Sequence, residues 1–293
     1  MVSTLYPFEG NFLDLDGLSY HYLDEGAGPT VVMVHGNPTW SFYYRDLVLA
    51  LRDQYRVVAP DHIGCGRSDK PDDSRYEYTL ERRVQDLGRL IDSLGCDKVT
   101  LVVHDWGGMI GLTWATQNPE RIHRLVVLNT SAFPLPASKP LPYQIALART
   151  TGLGPMLVRG FNAFARGAVR LCVTRTPMSP EIAAGYLAPY DSWHNRIALQ
   201  RFIEDIPLGC SDRAWPLISE TAGKLEKLRS VPMLICWGMQ DFVFDVHFLD
   251  EFTRRFPDAE VHRFDDAGHY ILEDARDDVI PLISAFLAEH PTA

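Results

Sequence analysis

The chain has 293 residues, enough for one large α/β domain or for a core with an insertion. It is 46% hydrophobic and 23% charged, with a formal net charge of −10 and no block of lysines or arginines, which argues against a nucleic-acid partner. The opening MVSTLYPFEG lacks a basic stretch followed by an apolar one, and no apolar run approaches ~18 residues, so neither a secretory signal nor a membrane span is expected.

Residues 11–24 carry a strand signal, and TVVMVHG (30–36) carries a second. A helix is expected around 41–52, followed by the strand YRVVAPD (55–61). Thr79 is placed to cap a helix running to about Ser93. VTLVVHD (99–105) is a continuous apolar run, as expected of a strand buried on both faces. GMIGLTWATQNPE follows as a helix ending near Pro119, and RLVVLNT (124–130) as another buried strand. This alternation predicts a mostly parallel, doubly wound sheet.

The alternation breaks at AFPLPASKPLP (132–142), where four prolines in eleven residues can continue neither a strand nor a helix. From there to about Trp215 the pattern is helical. Strand–helix alternation resumes with VPMLICWG (231–238), FLDEFTRRF (248–256) and EVHRFDDAG (260–268), and a last helix starts near Ile271. The expected organisation is a core of residues 1–132 and 216–293, with a helical cap of residues 133–215 inserted after the sixth strand. Cys65, Cys96, Cys172, Cys210 and Cys236 are scattered without C-x-x-C, which reads as free thiols in a reducing compartment and predicts the cytoplasm.

In open parallel sheets, chemistry collects at the carboxyl ends of strands. Asp105 ends one strand on a turn into a helix. Asn37 follows the His35-Gly36 that ends another, Asp241 follows WGMQ, and His269 lies in DDAGHY after the last. A lone Asp at a strand end is ordinarily a helix cap, and a lone His near a C-terminus is ordinarily a surface residue. Together, in the order nucleophile, acid, histidine, they match the triad of α/β-hydrolases, with the G-x-S-x-G elbow rewritten as Val103-His104-Asp105-Trp106-Gly107. Val103 departs from the pattern at the first glycine.

A serine must lose its proton before attack, whereas a carboxylate of pKa about 4 is already ionised at neutral pH. A carboxylate suits displacement at a saturated carbon, which leaves an alkyl ester on the enzyme and expels an anion. Asn37 offers two amide N–H donors and Trp106 one indole N–H, and both suit a departing halide or carboxylate. The expected reaction is therefore alkyl transfer to Asp105 with an anionic leaving group.

HGNPTW, DHIGCGRSDKP, HDWGGMIG and DAGHY resemble the haloalkane dehalogenase superfamily of α/β-hydrolases over nearly the whole chain. DDSRYEYTL, NTSAFPLPASKPLPYQIAL, FNAF and PYDSWHNRIALQRFIEDIPL are similar to the branch holding the β-lactone decarboxylases of bacterial long-chain olefin biosynthesis. The resemblance implies Asp105 as nucleophile, His269 as base, Asp241 as the acid orienting it, and Asn37 and Trp106 as holders of the leaving anion. Another dehalogenase branch draws its acid from just after strand 124–130. NTSAFPLPASKPLP contains no Asp or Glu, which favours Asp241. The resemblance also implies a small apolar substrate, association with the other enzymes of olefin synthesis, and no cofactor.

Asp245 is an alternative acid, with helix capping as its plainer role. His35 and His104 are expected to support the turns, and His62 to be structural. Phe161, Phe164, Tyr190 and Trp193 are candidates to line an apolar cap pocket, with ordinary cap core an equal reading. No paired His/Cys/Asp spacing suggests a metal. HGNPTW lacks the glycine cradle of a phosphate loop. The resemblance makes a cis-β-lactone decarboxylase giving a long-chain cis-alkene and CO2 the leading reading and a haloalkane dehalogenase the first alternative, and two further alternatives stand beside them. An epoxide hydrolase would draw two cap tyrosines from Tyr143, Tyr186 and Tyr190, and a non-catalytic ligand receptor of the same fold would have no need of a complete triad.

Overall fold

A computed structural model describes residues 2–137, 139–150 and 152–291. Eight strands, β1 (Asn11–Asp14), β2 (Ser19–Glu25), β3 (Thr30–Val34), β4 (Arg56–Pro60), β5 (Val99–Asp105), β6 (Ile122–Thr130), β7 (Met233–Gly238) and β8 (Glu260–Phe264), form one sheet in the order β1-β2-β4-β3-β5-β6-β7-β8. The β1–β2 and β2–β4 pairs are antiparallel and all others parallel. This is the doubly wound sheet of the α/β-hydrolase fold that the alternation predicts.

The apolar runs explain the centre of the sheet. Every residue of β3, β5 and β7 is buried. Successive residues of β5 face opposite sides, so Leu101 and Val103 enter one apolar cluster while Val102 enters the other. β8 at the edge is half exposed.

The helices are α1 (Val2–Leu5), α2 (Arg45–Leu51), α3 (Leu80–Ser93), α4 (Trp106–Gln117), α5 (Tyr143–Thr150), α6 (Ala163–Leu171), α7 (Pro180–Leu187), α8 (Ile197–Glu204), α9 (Trp215–Lys224), α10 (Val246–Arg255), α11 (Ile271–Asp274) and α12 (Arg276–Glu289). Thr79 caps α3 as expected, its Oγ1 accepting from the Arg82 amide at 3.2 Å. α4 is buried from Trp106 to Thr116, which places it inside the protein rather than on its surface. No helix among the described residues is long and apolar enough to cross a membrane.

Some boundaries differ from the sequence reading. Residues 11–24 hold two strands, because the chain reverses at Asp16 and Gly17, both at positive φ, and Leu15 and Leu18 exchange backbone hydrogen bonds across the turn. The stretch 41–52 opens as a 3-10 turn (Ser41–Tyr44) before α2. β8 stops at Phe264, where the chain folds back and the Ala267 amide donates to the Phe264 carbonyl at 3.2 Å.

Between β6 and β7 the described residues contain helices and no strand. Two buried polar contacts tie them to the sheet layers. Arg45 on α2 grips Glu273 on α11 through two hydrogen bonds of 2.5 and 2.9 Å, and the Tyr186 hydroxyl on α7 donates to the same carboxylate at 2.5 Å. Arg83 on α3 lies 3.7 Å from the centre of the Phe202 ring on α8 and pairs with Asp205.

Candidate active site

β5 runs directly into α4, so Asp105 must turn the chain within one residue. It sits at φ 52°, ψ −127°, a sparsely populated conformation that costs on the order of 1–3 kcal/mol and needs close packing to hold it. Small residues supply that packing. A methyl group on Gly36 would overlap the Asp105 carboxylate, and one on Gly107 would overlap the Val34 carbonyl. The departure at Val103 is accommodated from the opposite side, since a methyl on Gly111 would lie 2.8 Å from a Val103 methyl. The Thr130 hydroxyl donates to the Asp105 carbonyl and ties the turn to β6.

The Asp105 carboxylate is buried. Its Oδ1 accepts the backbone N–H of Asn37 at 2.5 Å, and the backbone N–H of Trp106 also hydrogen-bonds the carboxylate. Its Oδ2 lies 3.6 Å from His269 Nε2, too far for a hydrogen bond. Burial pushes the carboxyl up to about 6. The His269 charge and the two N–H donors oppose that rise, and Asp241 adds to it.

His269 follows β8, and its Nδ1 hydrogen-bonds Asp241 Oδ2 at 2.7 Å. Burial disfavours the imidazolium, but the charges of Asp241 and Asp105 outweigh it and raise the His269 pKa. Asp241 is fixed in turn: Oδ1 accepts the Val243 N–H at 2.7 Å, and Oδ2 accepts the Asn129 amide at 3.0 Å. Asp245 contacts other groups. It caps α10, accepting from the His247 amide at 3.1 Å, and pairs with Lys139 at 2.6 Å.

Asn129 is a functional residue that the sequence reading misses. It lies next to the end of β6 at φ 27° and clasps Gly238, donating to its carbonyl at 3.0 Å and accepting from its amide at 2.8 Å. The one signal for it is a polar residue directly after the apolar run Leu125–Leu128.

The neighbouring histidines are structural links. His104 Nε2 bonds the His269 carbonyl at 2.9 Å, and its ring stacks on Tyr43 with centroids 4.3 Å apart. His35 Nδ1 donates to the Gly36 carbonyl at 2.7 Å, while its Nε2 accepts the His62 amide at 3.0 Å. His62 Nε2 returns a bond to the His35 carbonyl at 2.9 Å. Burial holds the His35 pKa down to about 4 and the His62 and His104 values well below the ordinary one, so all three are neutral at pH 7.

Asp105, His269, Asn37 and Trp106 form the polar floor of a cavity of about 310 Å³. Its walls are almost entirely apolar, with Met109, Phe133, Leu135, Ile203 and Phe244 among them. The Asn37 amide spends one donor on the Leu199 carbonyl at 3.2 Å. The Trp106 indole N–H makes no hydrogen bond among the described residues, while its ring packs against Phe202 at 5.2 Å.

The cap candidates divide. Phe164 lines the cavity. Phe161 and Trp193 do not, being 62% and 50% exposed on the outer surface. Tyr190 is wholly buried away from the cavity, with its hydroxyl on the Thr39 carbonyl at 3.2 Å. Phe164 is carried by α6, whereas Phe161 and Trp193 lie in the connecting turns before α6 and before the 3-10 turn His194–Arg196, on the outside of the helices. Among the tyrosines of the epoxide alternative, Tyr186 is engaged with Glu273, and only Tyr143 borders the cavity, at its exposed mouth. No pair of cap tyrosines faces Asp105 among the described residues.

Residues 29–152 and 174–275 match the family model of the α/β hydrolase fold. The chain is 56% identical to a cis-3-alkyl-4-alkyloxetan-2-one decarboxylase of Shewanella oneidensis, over 100% of this chain and 92% of that protein. It is 50% identical to the protein of the same name from Xanthomonas campestris pv. campestris, over 98% of each. Haloalkane dehalogenase 2 of Mycobacterium tuberculosis is 33% identical over 95% of each chain. Among solved structures, the haloalkane dehalogenase DatA from Agrobacterium tumefaciens superposes with a TM-score of 0.85 at 26% identity, covering 99% of both chains. Sheet topology, elbow and sequence agree: the chain belongs to the α/β-hydrolase fold family, in the branch that holds the oxetanone decarboxylases and the haloalkane dehalogenases.

Proposed function

We propose that this protein is a cis-β-lactone decarboxylase that converts a lactone bearing two alkyl arms into a cis-alkene and CO2. The observation that carries the reading is a carboxylate, Asp105, facing a nearly all-apolar cavity with the His269–Asp241 pair beside it. An oxetan-2-one is a β-lactone, so the names of the relatives at 56% and 50% identity support this substrate over a haloalkane.

Asp105 acts as the nucleophile through Oδ2, because Oδ1 is held by the Asn37 backbone N–H while Oδ2 faces His269 Nε2. Once Oδ2 is esterified, the Asn37 N–H sits on the ester carbonyl oxygen, where charge develops if water attacks. Asp241 holds the Nδ1 proton of His269 and leaves Nε2 as the base. Asn37 and Trp106 receive the departing anion. With a lactone, attack at the ring carbon bearing oxygen breaks that C–O bond and frees a carboxylate on the adjacent carbon. Loss of CO2 then leaves its electron pair as the new C=C bond while Asp105 departs with its own C–O electrons. The steps need no redox partner.

Dehalogenation is the second reading, favoured by the free Trp106 N–H and by the relative at 33% identity. It shares the first displacement and differs in its end, with His269-activated water cleaving the ester. Residues 133–215 serve as the helical cap that roofs the cavity, and residues 1–132 and 216–293 form the core. The five free cysteines support a cytoplasmic setting, and the likeness to the olefin branch supports association with enzymes of the same synthesis.

The test is a trap. His269→Ala incubated with 1-bromobutane accumulates a butyl ester on Asp105, read by intact mass and peptide mapping. Bromide release with no adduct overturns the assignment of Asp105. Turnover of the lactone in oxygen-18 water then reports the route: label stays out of Asp105 if CO2 loss expels it and enters if water attacks the ester.

A further inference from the structure

The outer face of the inserted helices has an unusual composition. From Lys139 to Pro180 the sequence has six basic residues, Lys139, Arg149, Arg159, Arg166, Arg170 and Arg175, and neither Asp nor Glu. Lys139, Arg149 and Arg175 are used internally, paired with Asp245, Asp212 and the Asp266–Asp278 couple. Arg159, Arg166 and Arg170 make no ion pair among the described residues, and Arg166 and Arg170 stand exposed four residues apart on α6. This cluster sits on a chain whose net charge is −10.

The same inserted helices and turns expose large apolar side chains. Tyr143, Leu153, Met156, Phe161, Leu171 and Trp193 are each between 47% and 76% exposed, and together they are six of the ten exposed large hydrophobics among the described residues. Part of this set adjoins Arg159, and Leu171 follows Arg170 directly in the chain. The Arg159 guanidinium lies 4.7 Å from the centre of the Trp193 ring, and Gly160 is bordered by both Trp193 and Met156. Tyr143 and Leu171 belong both to this surface and to the cavity lining, so the mouth of the cavity opens within the patch.

We propose that this face docks on an anionic lipid bilayer with the cavity mouth turned toward the membrane. Unpaired arginines interleaved with exposed tryptophan, phenylalanine and leucine form the pattern that lies at a headgroup boundary: the rings and aliphatic chains enter the acyl edge and the guanidiniums meet phosphate. Charge complementarity selects anionic lipid, and an apolar patch of this extent is costly to leave in water. The docking rests on this surface alone. Its use, passing a two-armed hydrocarbon between bilayer and cavity without exposing its methylenes to water, rests on the decarboxylase reading.

The test is co-sedimentation of the full chain with vesicles of phosphatidylglycerol and phosphatidylcholine, against vesicles of phosphatidylcholine alone. Binding is expected on the anionic vesicles, weaker on the neutral ones, and reduced at high salt. Arg166→Glu/Arg170→Glu should lower the partition onto anionic vesicles at least about tenfold, and Arg166→Lys/Arg170→Lys should retain it. Trp193→Ser should lower it on both vesicles. An unchanged thermal midpoint establishes that the variants fold, since none of these side chains lines the cavity. Three results overturn the proposal: no binding to anionic vesicles, equal binding by the charge-reversed variant, or lipid-free self-association through these residues in place of vesicle binding. Vesicle binding without lactone turnover would sink the decarboxylase reading and leave the docking intact.

Discussion

Asp105→Asn should stabilise the protein while abolishing turnover. The buried carboxyl has a pKa of about 6 in the fold against an ordinary value of 3.8, and burial is the leading cause. An acid whose folded pKa is raised destabilises the fold above that pKa, and the cost vanishes below the unfolded value. The gap corresponds to about 3 kcal/mol at pH 8, at ~1.36 kcal/mol per pKa unit. Asn keeps an oxygen for the N–H groups of Asn37 and Trp106 but accepts more weakly than a carboxylate, so the net gain should be about 1–3 kcal/mol. For a chain of this size that is a rise of roughly 2–10 °C in Tm at pH 8. Thermal melts of both proteins at pH 8 and pH 4.5 are the assay, and the difference should shrink strongly at the lower pH. A variant no more stable than the parent at pH 8, or a gap that persists unchanged at pH 4.5, refutes the claim that a buried, ionised carboxylate strains this site.

Asp241→Asn should lower kcat by about two to four orders of magnitude, because His269 loses the partner that sets its tautomer, whereas Asp245→Asn should leave kcat near the parent's. The reverse ranking in steady-state assays would move the acid to Asp245. The rate of the first displacement, followed by rapid-quench alkylation with a bromoalkane, should fall as the pH drops through about 6, because protonated Asp105 is no nucleophile; a rate that is flat between pH 8 and pH 5 would exclude it. Trp106→Phe keeps a ring against Phe202 but removes the indole N–H, and bromide release should slow by about 10–100-fold; an unchanged rate would show that the leaving anion lies elsewhere.

The parts legible in the sequence were those set by local pattern. Unbroken apolar runs marked β3, β5 and β7, because a strand buried on both faces can tolerate little else. Asp105, Asn37, Asp241 and His269 stood out because each follows a strand, and parallel strands deliver their ends to one edge of the sheet. Packing between distant segments was not legible. Phe164 is on α6 while Phe161 and Trp193 fall in the connecting turns, and the helical pattern of the sequence carries no sign of where those turns lie. Asn129 escaped notice because its partners, Gly238 and Asp241, lie more than a hundred residues away. The rise of the Asp105 pKa was equally invisible: the sequence supplies the carboxylate, and the fold supplies the burial.

The most direct measurement is turnover of a cis-3,4-dialkyl β-lactone, with the alkene followed by gas chromatography and compared with bromide release from 1-bromobutane under the same conditions. Cis-alkene and CO2 are expected in equal amounts, with a kcat/KM for the lactone above that for the bromoalkane and no alkene above background from Asp105→Asn. Efficient bromide release with no alkene from the lactone would contradict the decarboxylase reading and make the protein a haloalkane dehalogenase.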